Sequence, residues 1–395
     1  MAAPEMNAGP KMNSARQALF SPFTLPGGVV MRNRVIMAPM TTWSGNADGT
    51  VTDEEVAYYE KRVGDAGLVI TGCTHVQADG IGFTDEFASF DDRFVPSLRR
   101  LAAAAQSGGA PALLQIFHAG NKAVADLTPH GEVVSASAVG VPASAFGAAT
   151  TPRELSETEV KDAITAFGDA ARRAIEAGFD GIELHGAHGF LIQNFFSPHY
   201  NQRQDQWGGS LENRMGFPLA VVAEVKRVAQ LHAKGPFALG YRISVEEPDA
   251  DGLRIDDSLV LIDRLIAAKV DYVHVSLGSV LENKPIGSSG SETIAQIVLR
   301  RVDGRLPVFA AGQILVPAQA DAALALGLTG VAVGRGLIIN PNWVELARAE
   351  HDANVDTTLD PADVSYLKIP GKLWGIIEAM TGWFALAPRT AAVAE

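Results

Sequence analysis

The sequence predicts a protein of the α/β class, folded as a single-domain (β/α)₈ barrel of the TIM type. Eight short apolar runs, several rich in β-branched residues, alternate with longer helical patterns, which is typical of parallel strands joined by helices. The chain has 395 residues, 47% hydrophobic and 19% charged, which is enough apolar material for one large core. The predicted strands are residues 35–40, 68–72, 112–117, 181–185, 237–244, 272–276, 308–311 and 331–334.

Helical patterns follow each of these runs, and two of them begin with a capping box. In Thr52 with Glu55, and in Ser156 with Glu159, the hydroxyl can accept from an amide of the first turn that would otherwise lack a partner. Eight repeats of strand and helix fit a closed barrel better than an open Rossmann sheet.

The barrel is predicted to occupy residues 19–350, after a flexible lead at 1–18. An extension at 351–395 is predicted to pack on the barrel or on a neighbouring subunit. One long irregular segment, residues 121–155, follows the third strand. As a strand-to-helix loop it should lie over the C-terminal end of the barrel, where such folds place their chemistry.

Composition and charge favour small-molecule chemistry. The formal charge of −13 and the pI of about 5.2 argue against a nucleic acid as partner. No run of about 18 apolar residues is long enough to span a membrane. The single cysteine, Cys73, excludes an intrachain disulfide, a four-thiolate cluster and a cysteine-based zinc site, and it fits a reducing cytoplasm. The sequence leaves a homo-oligomer open.

Candidate functional residues are expected where the predicted strands end. Glycines and polar side chains gather there: Ala38–Trp43 after strand one, Thr71–Cys73 after strand two, Gln115–Gly120 at strand three, Glu183–Phe190 at strand four, Tyr241–Ser244 at strand five, Ala311–Gln313 at strand seven and Gly334–Gly336 at strand eight.

The last two of these turns suggest a phosphate site. Gly312 and Gly334 let backbone amides approach an anion closely, a helix N-terminus adds its dipole, and Arg335 can add a positive charge. Either turn alone is more often a tight connection, but together in this barrel position they favour phosphate.

Arg242 lies in the apolar fifth strand, where a buried arginine needs an anion or an acceptor. The N1–C2=O edge of a flavin gathers negative charge on reduction and would supply one; the alternative is an ion pair with Glu183.

Gln115 suits the same edge, since an amide can donate and accept together. Its alternative is a glutamine that caps the backbone.

His185 and His188 form an H-x-x-H pair at the end of strand four. Zinc is the weaker interpretation, because no third ligand and no H-E-x-x-H helix accompany them, so no metal is predicted. Two imidazoles can instead donate to one carbonyl oxygen and polarise it. A structural pair is the remaining alternative, and His118 is expected to be structural.

These motifs resemble the old yellow enzyme family over residues 19–348. The resemblance rests on RNRVIMAPM at 32–40, on Gln115 with HAG at 118–120, on ELHGAHG at 183–189, on SPHYN at 197–201 and on WGGSLENR at 207–214. It implies FMN, bound tightly without a covalent bond, and hydride transfer from NADH or NADPH through flavin N5 to an electron-poor alkene.

The resemblance also implies roles for individual residues. The residues expected to bind FMN are Ala38, Pro39, Met40, Thr41, Gly72, Gln115, Arg242, Gly312, Gly334 and Arg335. His185 and His188 are expected to hold the activating carbonyl and to act in catalysis, and Trp43 and Phe190 are expected to line the substrate pocket. One subgroup of the family has a cysteine at the position of Thr41; this chain has threonine, as in the yeast-type enzymes.

Phe190 is a departure from the family pattern. The family usually has a tyrosine there, which protonates the substrate α-carbon, and phenylalanine has no proton to donate. The proton must come from water or another side chain, or the substrate must need little acid help. A reductase of enones, quinones or nitro compounds is therefore the leading hypothesis, ahead of a dienoyl-thioester reductase and of a flavin-binding protein with little turnover.

Overall fold

The computed structural model describes residues 14–143 and 147–388. Its strands are β1 Phe23–Thr24, β2 Val30–Met31, β3 Val35–Met37, β4 Leu68–His75, β5 Ala112–Phe117, β6 Val134–Ser135, β7 Arg153–Glu154, β8 Gly181–Gly186, β9 Ala238–Ile243, β10 Tyr272–Ser276, β11 Val308–Ala311 and β12 Gly330–Val333. Its α-helices are α1 Ser14–Leu19, α2 Asp53–Arg62, α3 Val95–Gln106, α4 Glu157–Ala177, α5 Leu191–Phe196, α6 Leu211–Arg214, α7 Gly216–His232, α8 Ile255–Ala267, α9 Ile294–Val302, α10 Pro317–Ala325, α11 Arg335–Ile339, α12 Trp343–Arg348 and α13 Gly371–Ala379.

Eight strands close into a parallel barrel in the order β3-β4-β5-β8-β9-β10-β11-β12, and β12 pairs again with β3. The prediction of a (β/α)₈ barrel is confirmed. Each predicted strand forms, although β3 ends at Met37 instead of residue 40, because Pro39 has no amide proton for the sheet. Strand β4 continues past Gly72 to His75 through an irregularity between Ile70 and Cys73.

The two predicted capping boxes differ in the structure. The box at α4 is complete, with Ser156 accepting from the Glu159 amide and Glu159 accepting from the Ser156 amide. At α2, Thr52 accepts from the Glu55 amide, but the buried Glu55 carboxylate instead accepts from the hydroxyls of Thr42 and Ser44. Glu55 therefore ties the loop after β3 to the start of α2, and the prediction of a second full box is wrong.

The N-terminal segment differs from the predicted flexible lead where the structure describes it. Residues 14–18 belong to α1, and residues 1–13 of the predicted lead lie outside the described part of the chain. Arg16 is buried and donates to both Asp321 and Asp352. This charged, hydrogen-bonded contact fixes α1 against α10 and the segment after α12.

Residues 351–388 contact the barrel through a mostly apolar surface, and residues 389–395 of the predicted extension lie outside the described part. Leu373 and Ile377 of α13, together with Phe384, are buried in the main core cluster. Within the insertion at 121–155, β6 and β7 form a short parallel pair; residues 144–146 of it are not described. In the described part of the chain, no helix is long and apolar enough to cross a membrane.

Candidate active site

A cavity of about 280 Å³, called here the cofactor cavity, opens at the C-terminal ends of the strands. Seven of the residues predicted to bind a cofactor line it: Ala38, Pro39, Met40, Arg242, Gly312, Gly334 and Arg335. They come from loops after β3 and β12, from β9 and from the loop after β11. The barrel therefore gathers residues that are almost 300 positions apart in the sequence.

Two glycines that line this cavity pack closely against neighbouring protein atoms. A Cβ atom at Gly312 would lie 2.5 Å from the Leu277 carbonyl oxygen, and one at Gly334 would lie 3.0 Å from the Met40 sulfur. Any larger residue at either position would therefore clash with these neighbouring atoms. The following residue, Arg335, begins the five-residue helix α11.

Arg335 brings a positive charge to the same cavity. Its guanidinium donates to the backbone carbonyl of Trp383, and within the described ranges it forms no ion pair with a carboxylate. Burial lowers its pKa from the ordinary value. A half-buried cation that no protein anion balances is suited to a phosphate group.

Arg242 is the second cation of the cavity, and it is only 7% exposed. One Nη2–H donates to Ser276 Oγ at 3.0 Å, while the buried Nε has no hydrogen-bond partner among the residues that the structure describes. Burial lowers the pKa of the guanidinium, and the charge of Glu183 opposes that shift. A buried guanidinium N–H without an acceptor is costly unless a ligand supplies one, so the site fits the anionic edge of a flavin.

Glu183 lies in the barrel interior near Arg242 and is fully buried. Its carboxylate accepts from Gln115 Nε2 at 2.7 Å, Tyr272 Oη at 2.9 Å and His274 Nδ1 at 2.9 Å. Burial opposes ionisation, but His274 and Arg242 hold the pKa of Glu183 below its ordinary value. Among the described residues, the alternative of a direct Arg242–Glu183 ion pair is not found; Arg242 acts on Glu183 at longer range.

Two further predicted residues lie next to the cofactor cavity. Gly72 donates its amide to Tyr59 Oη at 2.8 Å, and a Cβ atom there would lie 2.6 Å from the Met40 carbonyl oxygen. The chain before Thr41 therefore packs directly on Gly72. Thr41 Oγ1 lies 3.6 Å from Cys73 Sγ, and burial raises the pKa of this thiol well above its ordinary value, so the sulfur remains protonated.

His185 and His188 lie side by side, with ring centroids 4.8 Å apart and ring planes at 76°. His185 Nδ1 accepts from the Ala187 amide at 3.3 Å, which places the proton of the neutral ring on Nε2. Burial, with His188 and Arg242, holds the pKa of His185 well below its ordinary value of 6.5. His185 is therefore a neutral hydrogen-bond donor.

His188 has a left-handed backbone conformation, with φ of 60°, and its amide donates to Ser244 Oγ. Solvent reaches the ring from the second cavity described below. The protein around the ring and the charges of Arg242 and Lys122 nevertheless hold its pKa well below 6.5. His188 is therefore neutral at neutral pH as well.

Ser276 connects this histidine to the buried cation Arg242. Its hydroxyl oxygen accepts from Arg242 Nη2 and lies 2.7 Å from His188 Nε2. The hydroxyl proton and the His188 tautomer are therefore coupled. Ser276 is not among the predicted site residues, although it is the last residue of the sixth barrel strand and so lies at a strand end like the others.

A second cavity, of about 320 Å³, lies beside the histidine pair. Its described lining is Gly82, Phe83, Asn121, Lys122, Ala123, Val141, Pro142, Gly147, Ala148, Thr150, His188 and Phe190. The Phe190 ring contacts His185 at 4.9 Å and Phe117 at 4.8 Å between centroids. The wall is mainly apolar, with Lys122 as its cation.

Trp43 does not line either cavity directly. It is 7% exposed, has φ of 50°, and its ring makes edge contacts with Phe83 at 5.5 Å and Trp383 at 6.4 Å. It therefore supports Phe83 of the second cavity and Trp383 of the cofactor cavity. Sequence reasoning missed both partners, because neither follows the end of a barrel strand closely.

His118 makes structural contacts through both ring nitrogens. Nδ1 accepts from the Gly120 amide at 3.0 Å, and Nε2 lies 3.3 Å from Asp79 Oδ1. The described residues contain no group of three or more histidine, cysteine, aspartate or glutamate side chains that could hold a metal ion.

Comparison with known proteins identifies the family. Residues 18–354 match the model of the NADH:flavin oxidoreductase / NADH oxidase family. A probable NADH-dependent flavin oxidoreductase, YqiG, of Bacillus subtilis (strain 168) is 40% identical over 373 residues, 94% of this chain and 99% of that protein. An NADPH dehydrogenase of Geobacillus sp. (strain WCH70) is 35% identical over 86% of this chain and 96% of its own length.

Other relatives are longer, and a solved structure shares the fold. The NADH:fumarate oxidoreductase of Klebsiella pneumoniae (strain 342) is 38% identical over 93% of this chain, which spans 40% of that protein. Morphinone reductase in complex with tetrahydroNAD superposes with a TM-score of 0.74 at 27% identity, covering 89% of this chain and 97% of that one.

The resemblance to the old yellow enzymes is therefore confirmed. The residues around the cofactor cavity fit FMN, because, within the described part of the chain, they provide a buried guanidinium N–H without an acceptor and an arginine without a carboxylate partner. The chain is an NAD(P)H-dependent, FMN-containing oxidoreductase and belongs to the NADH:flavin oxidoreductase / NADH oxidase family.

Proposed function

We propose that this chain passes a hydride from NADH or NADPH, by way of FMN, to a small molecule with an electron-poor C=C bond or to a quinone. The observation that supports this most directly is the neutral pair His185 and His188 beside the buried cation Arg242. A pair of neutral imidazoles can hold a carbonyl oxygen, and a cation next to them can stabilise a reduced flavin.

Seven of the ten proposed cofactor contacts line the cofactor cavity, and Thr41, Gly72 and Gln115 are proposed from the family resemblance. Ala38, Pro39, Met40, Thr41, Gly72 and Gln115 would surround the ring system, Arg242 would contact its N1–C2=O edge, and Gly312, Gly334 and Arg335 would hold the phosphate. Bound FMN supplies the hydride and its electron pair. Because the nicotinamide and the substrate use the same face in turn, no separate dinucleotide fingerprint is needed.

The histidine pair would activate the substrate. His185 Nε2–H, fixed by the Ala187 amide on the other nitrogen, donates to the carbonyl oxygen. When the Ser276 hydroxyl donates to His188 Nε2, the proton of the neutral His188 ring is on Nδ1. This N–H would then donate the second hydrogen bond to the carbonyl oxygen. As negative charge develops on that oxygen, both bonds strengthen, so they lower the energy of the transition state more than that of the ground state.

The apolar wall would exclude water from the reacting carbon. Phe190 packs against His185 and Phe117, and Phe83 packs on the ring of Phe190 at 6.1 Å. Trp43 stands behind Phe83 as a support for this wall. The effective dielectric constant beside this apolar wall is lower than in water, which strengthens the hydrogen bonds from the histidines.

The substrate class remains broad. The relatives named for fumarate and for acrylate act on alkenes joined to a carboxylate, but the chain spans only 40% and 35% of their lengths. A quinone or nitro acceptor is the alternative favoured by Phe190, because charge then arrives on oxygen and water can protonate it.

Anaerobic rapid mixing tests the proposal in two steps. NADH or NADPH should bleach the flavin of the purified holoenzyme, and an enone or a quinone should restore its colour. The double variant His185→Ala, His188→Ala should keep FMN but bind enones and phenols about fivefold to 150-fold more weakly, because each lost hydrogen bond contributes about 0.5 to 1.5 kcal/mol.

Persistent yellow colour after addition of nicotinamide would instead identify a flavin-binding protein without turnover. Release of a bound metal by the double variant would support the zinc interpretation.

A further inference from the structure

Alkene reduction needs a proton at the α-carbon, and Phe190 cannot provide it. The two histidines beside it are neutral; each has one ring nitrogen in a hydrogen bond with the backbone or with Ser276, and the other is the proposed donor to the carbonyl oxygen. Any protein acid must therefore come from another element of the second cavity.

Lys122 lies in the turn after β5 and reaches across to the turn that carries His188 and Phe190. Its Nζ donates to the His188 carbonyl oxygen at 2.6 Å and lies 5.9 Å from the centroid of the Phe190 ring. A Cβ atom added to Gly189 would come within 2.8 Å of Nζ. The hydrogen bond, the ring contact and the close approach to Gly189 all place this ammonium against the turn 188–190, which carries two of the residues proposed to hold and enclose the substrate.

The ammonium has protons to give. It has three N–H donors, and one bonds to His188. Among the described residues it forms no ion pair with a carboxylate, and it is the only lysine or arginine that lines the second cavity. Its side chain is exposed to that cavity, so a ligand can reach it and solvent can protonate it again.

Burial of the Lys122 ammonium favours proton release, and the neighbouring carboxylates oppose it. Glu247 and Asp249 face Lys122 from the loop after β9, and His185 and His188 face it from the end of β8. The protein around Nζ lowers the pKa of the ammonium, although the two carboxylates oppose that shift. A lysine with a lowered pKa is a better general acid than an ordinary one at neutral pH.

We propose that Lys122 is the catalytic acid that protonates the α-carbon of an alkene substrate in this chain, in the position left without a donor by Phe190. This rests on the proposed function. When a hydride adds to the β-carbon, the π electrons of the C=C bond move towards the α-carbon and the activating carbonyl. They take one proton from the Lys122 ammonium at the α-carbon. The resulting amine regains a proton from solvent through the open side of the cavity, so one hydride and one proton are added in each turnover.

The test compares an acceptor that needs carbon protonation with one that does not. The holoenzyme is reduced anaerobically and mixed with cyclohex-2-enone or with 1,4-benzoquinone. In Lys122→Gln the ratio of the enone rate to the quinone rate should fall by about 10² to 10⁴, the usual contribution of a positioned acid. Lys122→Arg should lose a similar factor, because arginine keeps the charge but does not release its proton.

Two further measurements separate acid catalysis from a structural effect. In the wild type the enone rate should fall as the pH rises through the pKa of the ammonium, and in Lys122→Gln this dependence should be absent. Adding Phe190→Tyr to Lys122→Gln should restore the ratio, because the tyrosine supplies the missing donor. Lys161→Gln, on the exposed face of α4, is the matched control and should keep the wild-type ratio.

The inference is overturned if Lys122→Gln keeps a ratio within about threefold of wild type, or if Lys122→Arg is as active as wild type. The proposed function fails separately. In that case the reduced wild-type holoenzyme would transfer electrons to neither acceptor.

Discussion

Arg242 and Glu183 carry opposite charges and are both buried, Arg242 in the wall of the cofactor cavity and Glu183 in the barrel interior near it. Replacing Arg242 by methionine keeps bulk but removes the cation, so the flavin midpoint potential should fall. A charged hydrogen bond contributes about 1.5 to 3 kcal/mol, which is about 30 to 65 mV for a two-electron couple. Spectroelectrochemical titration of the holoenzyme measures this shift.

Glu183→Gln is the matched variant with the opposite sign. It keeps the contact to His274 but removes a buried negative charge that has a lowered pKa, so the potential should rise. If Arg242→Met retained its FMN and its potential, the contact with the N1–C2=O edge would be wrong.

At the scale of single residues, sequence reasoning located the strand-end residues but not their partners. Arg242 was found because a charge inside an apolar strand demands a partner. Lys122 was missed because a lysine in a polar loop usually faces solvent, and only the crossing to the His188 carbonyl gives it a role. Glu55 was assigned to a capping box because the sequence pattern matched, but its carboxylate accepts hydrogen bonds from the hydroxyls of Thr42 and Ser44 instead.

At the scale of secondary-structure elements, some elements can be predicted from the local sequence pattern, whereas others depend on contacts between distant parts of the chain. The eight barrel strands can be predicted from short apolar, β-branched runs, because each run is recognisable from its own residues. The parallel pair β6 and β7 has two residues in each strand and joins positions 134 and 153, so no local period can predict it. The position of the segment after α13 cannot be predicted locally either, because it depends on the contacts of Trp383 with Arg335 and Trp43.

That segment should contribute to cofactor binding through Trp383. Its backbone carbonyl accepts from Arg335, and the residue lines the cofactor cavity. Trp383→Ala removes one wall and the edge contact with Trp43, so the dissociation constant of FMN should rise about tenfold, equivalent to about 1.4 kcal/mol. Titration of the apoprotein with FMN, followed by flavin fluorescence, measures the change.

Trp374→Ala is the control for this variant. Trp374 lies in α13 and packs on the core without lining the cofactor cavity, so its replacement can reduce stability but should leave FMN affinity unchanged. Equal affinities for wild type and Trp383→Ala would show that the segment only covers the barrel.

At the scale of the whole molecule, closure of the barrel buries ionisable groups that an unfolded chain exposes to water. His185 and His274 are 3% and 0% exposed, and burial lowers the pKa of each below 6.5. The unfolded chain therefore binds protons at these rings before the folded chain does as the pH falls. Stability should be independent of these rings well above pH 6.5 and should decrease below it.

The decrease can reach about 1.4 kcal/mol per pH unit for each histidine, until the pH falls to the pKa of the folded state. Urea unfolding of the holoenzyme between pH 5 and pH 7.5 measures it. His274→Gln should make the slope shallower, since the amide can still donate to Glu183 but takes up no proton. His232→Gln, at the exposed end of α7, should leave the slope unchanged. A free energy of unfolding that stayed constant from pH 7 to pH 5 in the wild type would mean that water or a bound anion reaches these rings in the folded barrel.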